Sequence, residues 1–137
     1  AQAAAAYLET RPGNVLLATG AKELAAFAGL GPERLYPRIL PSHESLTACE
    51  AAGIPHRNIL AMQGPFSQAL NEALIQQFQI AHLVTKDGGK AGGFAEKAAA
   101  AERTGAELIV IRRRPETGSS YETILDMCRG MLLCKYD

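Results

Sequence analysis

The chain has 137 residues, 47% of them apolar, which suits one domain with a full hydrophobic core. Fourteen basic and fourteen acidic residues cancel, and the pI is near 7.1, so no global field draws nucleic acid or an anionic membrane. Cys49, Cys128 and Cys134 form no CxxC pair and no stretch reads as a signal peptide or membrane span; a reducing cytoplasm and no metal site are expected.

Taken in order, the chain alternates helix and strand patterns. Gln2 to Glu9 reads as a helix ended by Arg11-Pro12-Gly13, so residues 1–13 are expected to be a connector from an upstream domain. Residues 14–137 then form one domain. Asn14 to Thr19 reads as a buried strand, and Gly20 to Ala28 as the helix after it. Arg34 to Leu40 is a weaker strand, placed at a sheet edge because Pro37 lacks an N–H. Glu44 to Ala52 is helical and stops at Gly53. A third strand over Asn58 to Gln63 precedes a helix over Ser67 to Phe78. His82 to Lys86 is the fourth strand, Phe94 to Thr104 an alanine-rich helix, and Glu107 to Arg112 the fifth strand. Ser119 or Ser120 is expected to cap a last helix reaching about Leu133.

Strands alternating with helices predict an α/β fold: a doubly wound parallel sheet of five strands with helices on both faces. The expected strand order is 2-1-3-4-5, from right-handed crossovers. Ligand sites in such a sheet lie beyond the strand C-termini. Two segments there stand out, Ala61 to Ser67 and Val84 to Gly93. The second holds Gly88, Gly89, Gly92 and Gly93, and glycine allows close backbone approach to a ligand. Lys22, Arg38, Lys86, Lys90, Arg112, Arg113 and Arg114 also fall in these loops, half of the fourteen basic residues. With Gly20 and Gly92-Gly93 at helix starts, an anion-binding edge is the reading. In the 2-1-3-4-5 order, Lys22, Lys86 and the three arginines come from strands not all side by side, so they are expected to span the edge.

Thr19-Gly20-Ala21-Lys22-Glu23-Leu24, Arg38-Ile39-Leu40-Pro41, Met62 to Ser67 with Asn71, and Thr85-Lys86-Asp87-Gly88-Gly89 with Gly92-Gly93 occur here in order. In these motifs the chain resembles the C-terminal half of the precorrin-6A reductase family, which includes a cobalt-precorrin-6A form. The resemblance runs from about Val15 to Pro115, and Met62 to Ser67 and Thr85 to Gly89 are its specific elements. It implies two facing Rossmann-like domains with NADPH or NADH and a ring-contracted corrinoid in the cleft between them. The implied reaction is reduction of one carbon–carbon double bond. This chain would be the C-terminal domain, its partner a missing N-terminal domain of the same enzyme, and inactive alone. The family's single arginine before the proline is replaced by Arg112-Arg113-Arg114-Pro115.

Substrate or cofactor contacts are therefore expected from Thr19, Gly20 and Lys22, from Arg38, and from Gln63, Gly64, Pro65, Phe66 and Ser67. Thr85, Lys86, Asp87, Gly88, Gly89, Gly92, Gly93, Arg113 and Arg114 complete the set. Arginines hold carboxylates bidentately, and lysines act as adaptable point charges. Phe66 faces either the flat ring or the nicotinamide, or plugs the core below its loop. No catalytic acid is assigned: His43 follows the Leu40-Pro41 turn, and His56 and His82 precede strands at the opposite edge. No GxxxxGK[ST] occurs, which excludes a P-loop kinase. A receiver domain would need acidic residues where Thr19 and Gln63 stand. A non-catalytic nucleotide- or anion-binding module of a multidomain protein is the alternative.

Overall fold

The two most apolar strands lie side by side at the centre of the sheet. β1 (Asn14–Ala18) and β4 (Ile80–Lys86) are parallel, with Leu17 opposite Val84 and Ala18 opposite Thr85. Val15, Leu16, Leu17, Leu83 and Val84 are all buried, as strands covered on both faces require. Outward from β1 lie β2 (Leu35–Ile39) and β3 (Leu60–Ala61), and outward from β4 lies β5 (Glu107–Arg113). All five run parallel. On β5, β6 (Tyr121–Ile124) pairs antiparallel and β7 (Met131–Leu132) parallel. This computed structural model describes the backbone of residues 1–86, 93–113, 121–124 and 131–132, and the side chains of 1–86 and 93–111.

The α/β class and the five parallel strands are as expected, but the order is 3-2-1-4-5. β3 lies outside β2 instead of between β1 and β4. It contributes only Leu60 and Ala61, neither of them buried, whereas a central parallel strand needs an apolar run. β2 is consequently not an edge strand. Pro37 is accommodated because β3 pairs only with Arg38 and Ile39, leaving the proline partnered on the β1 side alone. The segment after β1 is a run of 3₁₀ turns over Ala21–Leu30 rather than an α-helix. In the expected last helix, Tyr121–Ile124 and Met131–Leu132 are strands, and the remaining residues lie outside the described ones.

Helices cover both faces. α1 (Gln2–Glu9), the 3₁₀ run and α2 (His43–Ala51) bury Leu8, Leu24, Phe27 and Cys49 against Val15, Leu17 and Ile109. α3 (Gln68–Gln77) and α4 (Phe94–Thr104) bury Ile75, Ala100 and Ala101 against Leu16, Leu83 and Val110. Full burial of a Leu or Phe contributes roughly 1.5–3 kcal/mol, so both layers stabilise the sheet.

The N-terminal edge of the sheet is closed by polar contacts. Arg34 donates from Nε to the Gly13 carbonyl at 2.7 Å, from Nη2 to Arg11 at 2.7 Å and from Nη1 to Leu8 at 3.3 Å. One guanidinium fork thereby ties the last turn of α1 to the turn that follows it. On β5, Glu107 accepts from the Tyr7 hydroxyl and contacts His82 Nδ1 at 2.7 Å. His82 Nε2 lies 3.0 Å from the Pro12 carbonyl, so α1, its turn, β4 and β5 share one network.

Candidate functional site

In the observed order the chain reverses its winding between β1 and β4, and α/β sheets open a crevice beyond the strand ends at such a point. Thr19 and Gly20 leave β1 there, beside Thr85 and Lys86 of β4. Gly20 has φ 85 and ψ 173, a conformation that L side chains rarely adopt, and a Cβ built on it meets nothing within 4 Å. The loop is thus shaped by glycine and open on its outer side.

A cleft of about 450 Å³ lies on the α2 side of this loop, lined by Thr19, Gly20, Lys22, Ser42, Ser45 and Lys86 among others. The Thr19 hydroxyl is buried and has no hydrogen-bond partner among the described residues. A buried orphan hydroxyl costs about 1–3 kcal/mol, so a ligand that paired it would gain. Lys86 Nζ is 3.4 Å from Glu23 Oε2, with both side chains about a quarter exposed. The positive field of the cleft is therefore partly cancelled in the chain itself.

On the α3–α4 side of the same loop is a second hollow of about 210 Å³. It shares Gly20 and Leu40 with the first and adds Arg38, Gly64, Phe66 and Lys97. Arg38 is 6% exposed and Lys97 7%, so both cations are buried. Arg38 donates to Asn71 Oδ1 at 2.7 Å, and its guanidinium lies over the Phe66 ring, 3.9 Å from the centroid. Lys97 donates to Thr85 Oγ1 at 2.9 Å. Among the described residues neither is in an ion pair. Burial pushes Arg38 down to about 10. Burial likewise pushes Lys97 down to about 8, with the Arg38 charge adding to the fall and Glu96 opposing it.

Local sequence explains these placements. Arg38 alternates with Leu35, Pro37 and Ile39 along β2, so its side chain leaves the sheet on the α3–α4 side, as Tyr36 does. Ser67 is the N-cap of α3 and accepts from Leu70 N at 3.1 Å, which fixes where that helix begins. Before it, the Gly64–Pro65 peptide is cis, and the Phe66 ring folds back over Gly64. Lys97 lies in the second turn of α4, on the stripe of Ala100 and Ala101 that faces the sheet.

The expected residues divide accordingly. Thr19, Gly20, Lys22 and Lys86 share the first cleft, and Arg38, Gly64 and Phe66 share the second hollow with Gly20. Thr85 is buried beneath the second hollow as the partner of Lys97. Gln63 and Pro65 are exposed and line neither; Ser67 serves as a helix cap. Gly93, at φ 68, is the N-cap of α4. Asp87, Gly88, Gly89, Gly92 and Arg114 lie outside the described residues, as does the side chain of Arg113. The basic loops of β1, β4 and β5 are neighbours in the observed order, which corrects the expectation that they spread along the edge. Its width comes instead from Arg38 on β2. His43 and His56 are exposed, and His82 is held at the opposite edge. Lys97 is the site residue that sequence reasoning missed. Its signal was a lysine on the apolar stripe of an alanine-rich helix.

The arrangement offers two basins on opposite faces of one sheet edge, joined at Gly20: the first holds Lys22 and Lys86 with Glu44 beside them, and the second holds Arg38 and Lys97. The orphan Thr19 hydroxyl, the open Gly20 backbone, Lys22 and Lys86 fit the anionic groups of a nucleotide cofactor or of a polycarboxylate. Among the described residues no cluster of His, Cys, Asp and Glu is able to hold a metal ion, and no helix is long and apolar enough to cross a membrane.

Residues 1–129 match the family model described as precorrin-6x reductase CbiJ/CobK. The cobalt-precorrin-6A reductase of Priestia megaterium is 34% identical over 134 residues, covering 94% of this chain and 52% of that protein. The cobalt-precorrin-6A reductase of Synechocystis is 42% identical over 105 residues, covering 76% of this chain and 40% of that one. Among solved structures, a CobK precorrin-6A reductase superposes with a TM-score of 0.62 at 28% identity, over 82% of this chain and 44% of the other. The chain thus spans about half the length of these relatives, or less.

Proposed function

The chain belongs to the precorrin-6x reductase CbiJ/CobK family, and from that premise we propose that it is the C-terminal part of an NAD(P)H-dependent reductase of precorrin-6A or cobalt-precorrin-6A. The reaction reduces one carbon–carbon double bond of the corrinoid. The observation that supports this reading best is the pair of cation-bearing basins at the β1/β4 reversal, Lys22 and Lys86 in one and Arg38 and Lys97 in the other, which suits a macrocycle ringed by carboxylates better than a single phosphate.

NADPH or NADH, when bound, supplies the hydride. The residues of this chain orient what receives it. Thr19, Gly20, Lys22 and Lys86 hold anionic groups of the cofactor or the corrinoid on the α2 side. Arg38 and Phe66 hold the corrinoid on the α3 side, where stacking fixes the guanidinium. The opposing wall is a second domain of the same protein, so these 137 residues bind but do not turn over. The reductase works as a soluble cytoplasmic enzyme.

The test is a titration of this chain with NADPH and with cobalt-precorrin-6A, following the amide signals of Gly20 and the ring signals of Phe66. The corrinoid is expected to move both. Nucleotide binding with no corrinoid response at any concentration would favour a non-catalytic nucleotide-binding module. Corrinoid reduction by the 137 residues alone would overturn the need for a second wall.

A further inference from the structure

Two cations buried side by side without a counter-ion are unstable in an empty protein. Removing an ammonium or a guanidinium from water is costly unless an anion compensates it. Here Arg38 and Lys97 satisfy one contact each, on Asn71 and Thr85, and face each other's charge. Among the described residues, the groups around Lys97 are Arg38 from β2, Thr85 from β4 and Glu96 on its own helix, and Glu96 is exposed. The stacking on Phe66 and the two hydrogen bonds hold the side chains in place, and no described carboxylate neutralises their charges. Sites that carry such local instability are characteristically those where a ligand relieves it.

We propose that Arg38 and Lys97 form a built pocket for one carboxylate side arm of the ligand, separate from the Lys22–Lys86 cleft on the other face of the sheet. The proposal rests on the reading above that this edge faces a polycarboxylate. The hollow is small, about 210 Å³, and Ile39, Leu40, Met62 and Phe66 line it beside the two cations. Its apolar lining suits the methylene stem of an acetate or propionate arm, and the guanidinium, stacked on Phe66, suits bidentate pairing. A phosphate has oxygens on every side and would turn some of them against those apolar walls.

The experiment uses this chain with glutarate as the carboxylate probe and inorganic phosphate as the alternative oxyanion. The Lys97 side-chain ammonium and the Phe66 ring are followed by NMR. Glutarate is expected to raise the Lys97 titration midpoint and to shift the Phe66 ring, and phosphate to do neither at equal concentration. Lys97→Met is expected to weaken glutarate binding at least tenfold while leaving the empty chain as stable as before or more so. A merely structural lysine would behave oppositely, with stability lost and binding kept. Arg38→Lys keeps the charge without the fork, and is expected to retain the fold and lose the preference for carboxylate. Phosphate binding as strongly as glutarate, or unchanged glutarate binding by Lys97→Met, would overturn the proposal. Glutarate captured at Lys97 by a full-length protein that reduces no corrinoid would support the pocket and refute only the reductase reading.

Discussion

Glu23 pairs with Lys86, which lines the first cleft, with 3.4 Å between Oε2 and Nζ. The contact joins the 3₁₀ run to the end of β4, so an anionic ligand arriving there competes with a carboxylate already present. Exposed pairs of this kind contribute about 0.2–1 kcal/mol. Glu23→Gln is therefore expected to tighten binding of the anionic ligand about two- to fivefold, or roughly 0.5–1 kcal/mol. Lys86→Met in the full-length reductase is expected to raise the apparent substrate constant about tenfold, or roughly 1.4 kcal/mol. Both effects should shrink as salt rises. Normal substrate kinetics with weakened cofactor binding in Lys86→Met would move Lys86 to the nucleotide.

Stability should depend on pH through Lys97. Its folded value, about 8, lies below the ordinary 10.5 of a lysine. Between those values the unfolded chain binds more protons than the folded one, so stability rises with pH across that window. The gain is on the order of 1–3 kcal/mol from this group, and it should be absent in Lys97→Met. Above pH 10 Tyr7 works the other way, since burial and Glu107 push its hydroxyl up to about 12 and the unfolded chain ionises first. Urea unfolding of both proteins at pH 7, 8, 9 and 10 measures the difference. Parallel curves for the two proteins would show that burial does not lower the Lys97 value.

Gly64→Ala tests the support of Arg38. A Cβ at Gly64 would come within 3.1 and 3.3 Å of two Phe66 ring atoms, so the ring must move. A ring pushed back by a few tenths of an ångström weakens its cation–π contact with the guanidinium, which contributes about 0.5–1 kcal/mol. The loop is exposed, so global stability should fall by less than about 1 kcal/mol, while the Phe66 ring signals and carboxylate binding change together. Unchanged ring signals would show that the loop adjusts elsewhere.

At the opposite edge, Arg34→Ala removes three contacts to the carbonyls of Leu8, Arg11 and Gly13. The expected loss is about 1–3 kcal/mol, because the site is partly exposed. Arg34→Lys should recover little, since an ammonium lacks the fork. Hydrogen exchange is expected to quicken first in α1 and its turn. Equal stability of Arg34→Ala and the parent chain would refute the clamp.

The parts of the fold that the sequence made legible were those with strong local signals. The apolar runs of β1 and β4 and the alanine-rich α4 between two glycines were read almost to the residue. The position of β3 was not, because two residues carry no period, and the motif loops drew the eye past its shortness. The run Ala21–Leu30 has the composition of an α-helix, yet it forms 3₁₀ turns, a choice made by tertiary packing rather than by propensity. Arg38 and Phe66 could be named from their loops, but their stacking required the fold. Lys97 was hidden for another reason: a lysine among alanines reads as a solvated face until the helix is laid on the sheet.

Gly20 borders both basins, so a ligand filling them straddles one loop and is gripped from two sides. Two weak holds on one rigid body act as a bivalent attachment: once one is made, the second meets its partner at a high effective concentration. Affinity for a many-armed ligand then far exceeds that for any single arm. Loss of either hold should shorten residence time much more than it slows arrival. A fragment carrying one arm would exchange freely, and a ligand that filled both basins would leave slowly.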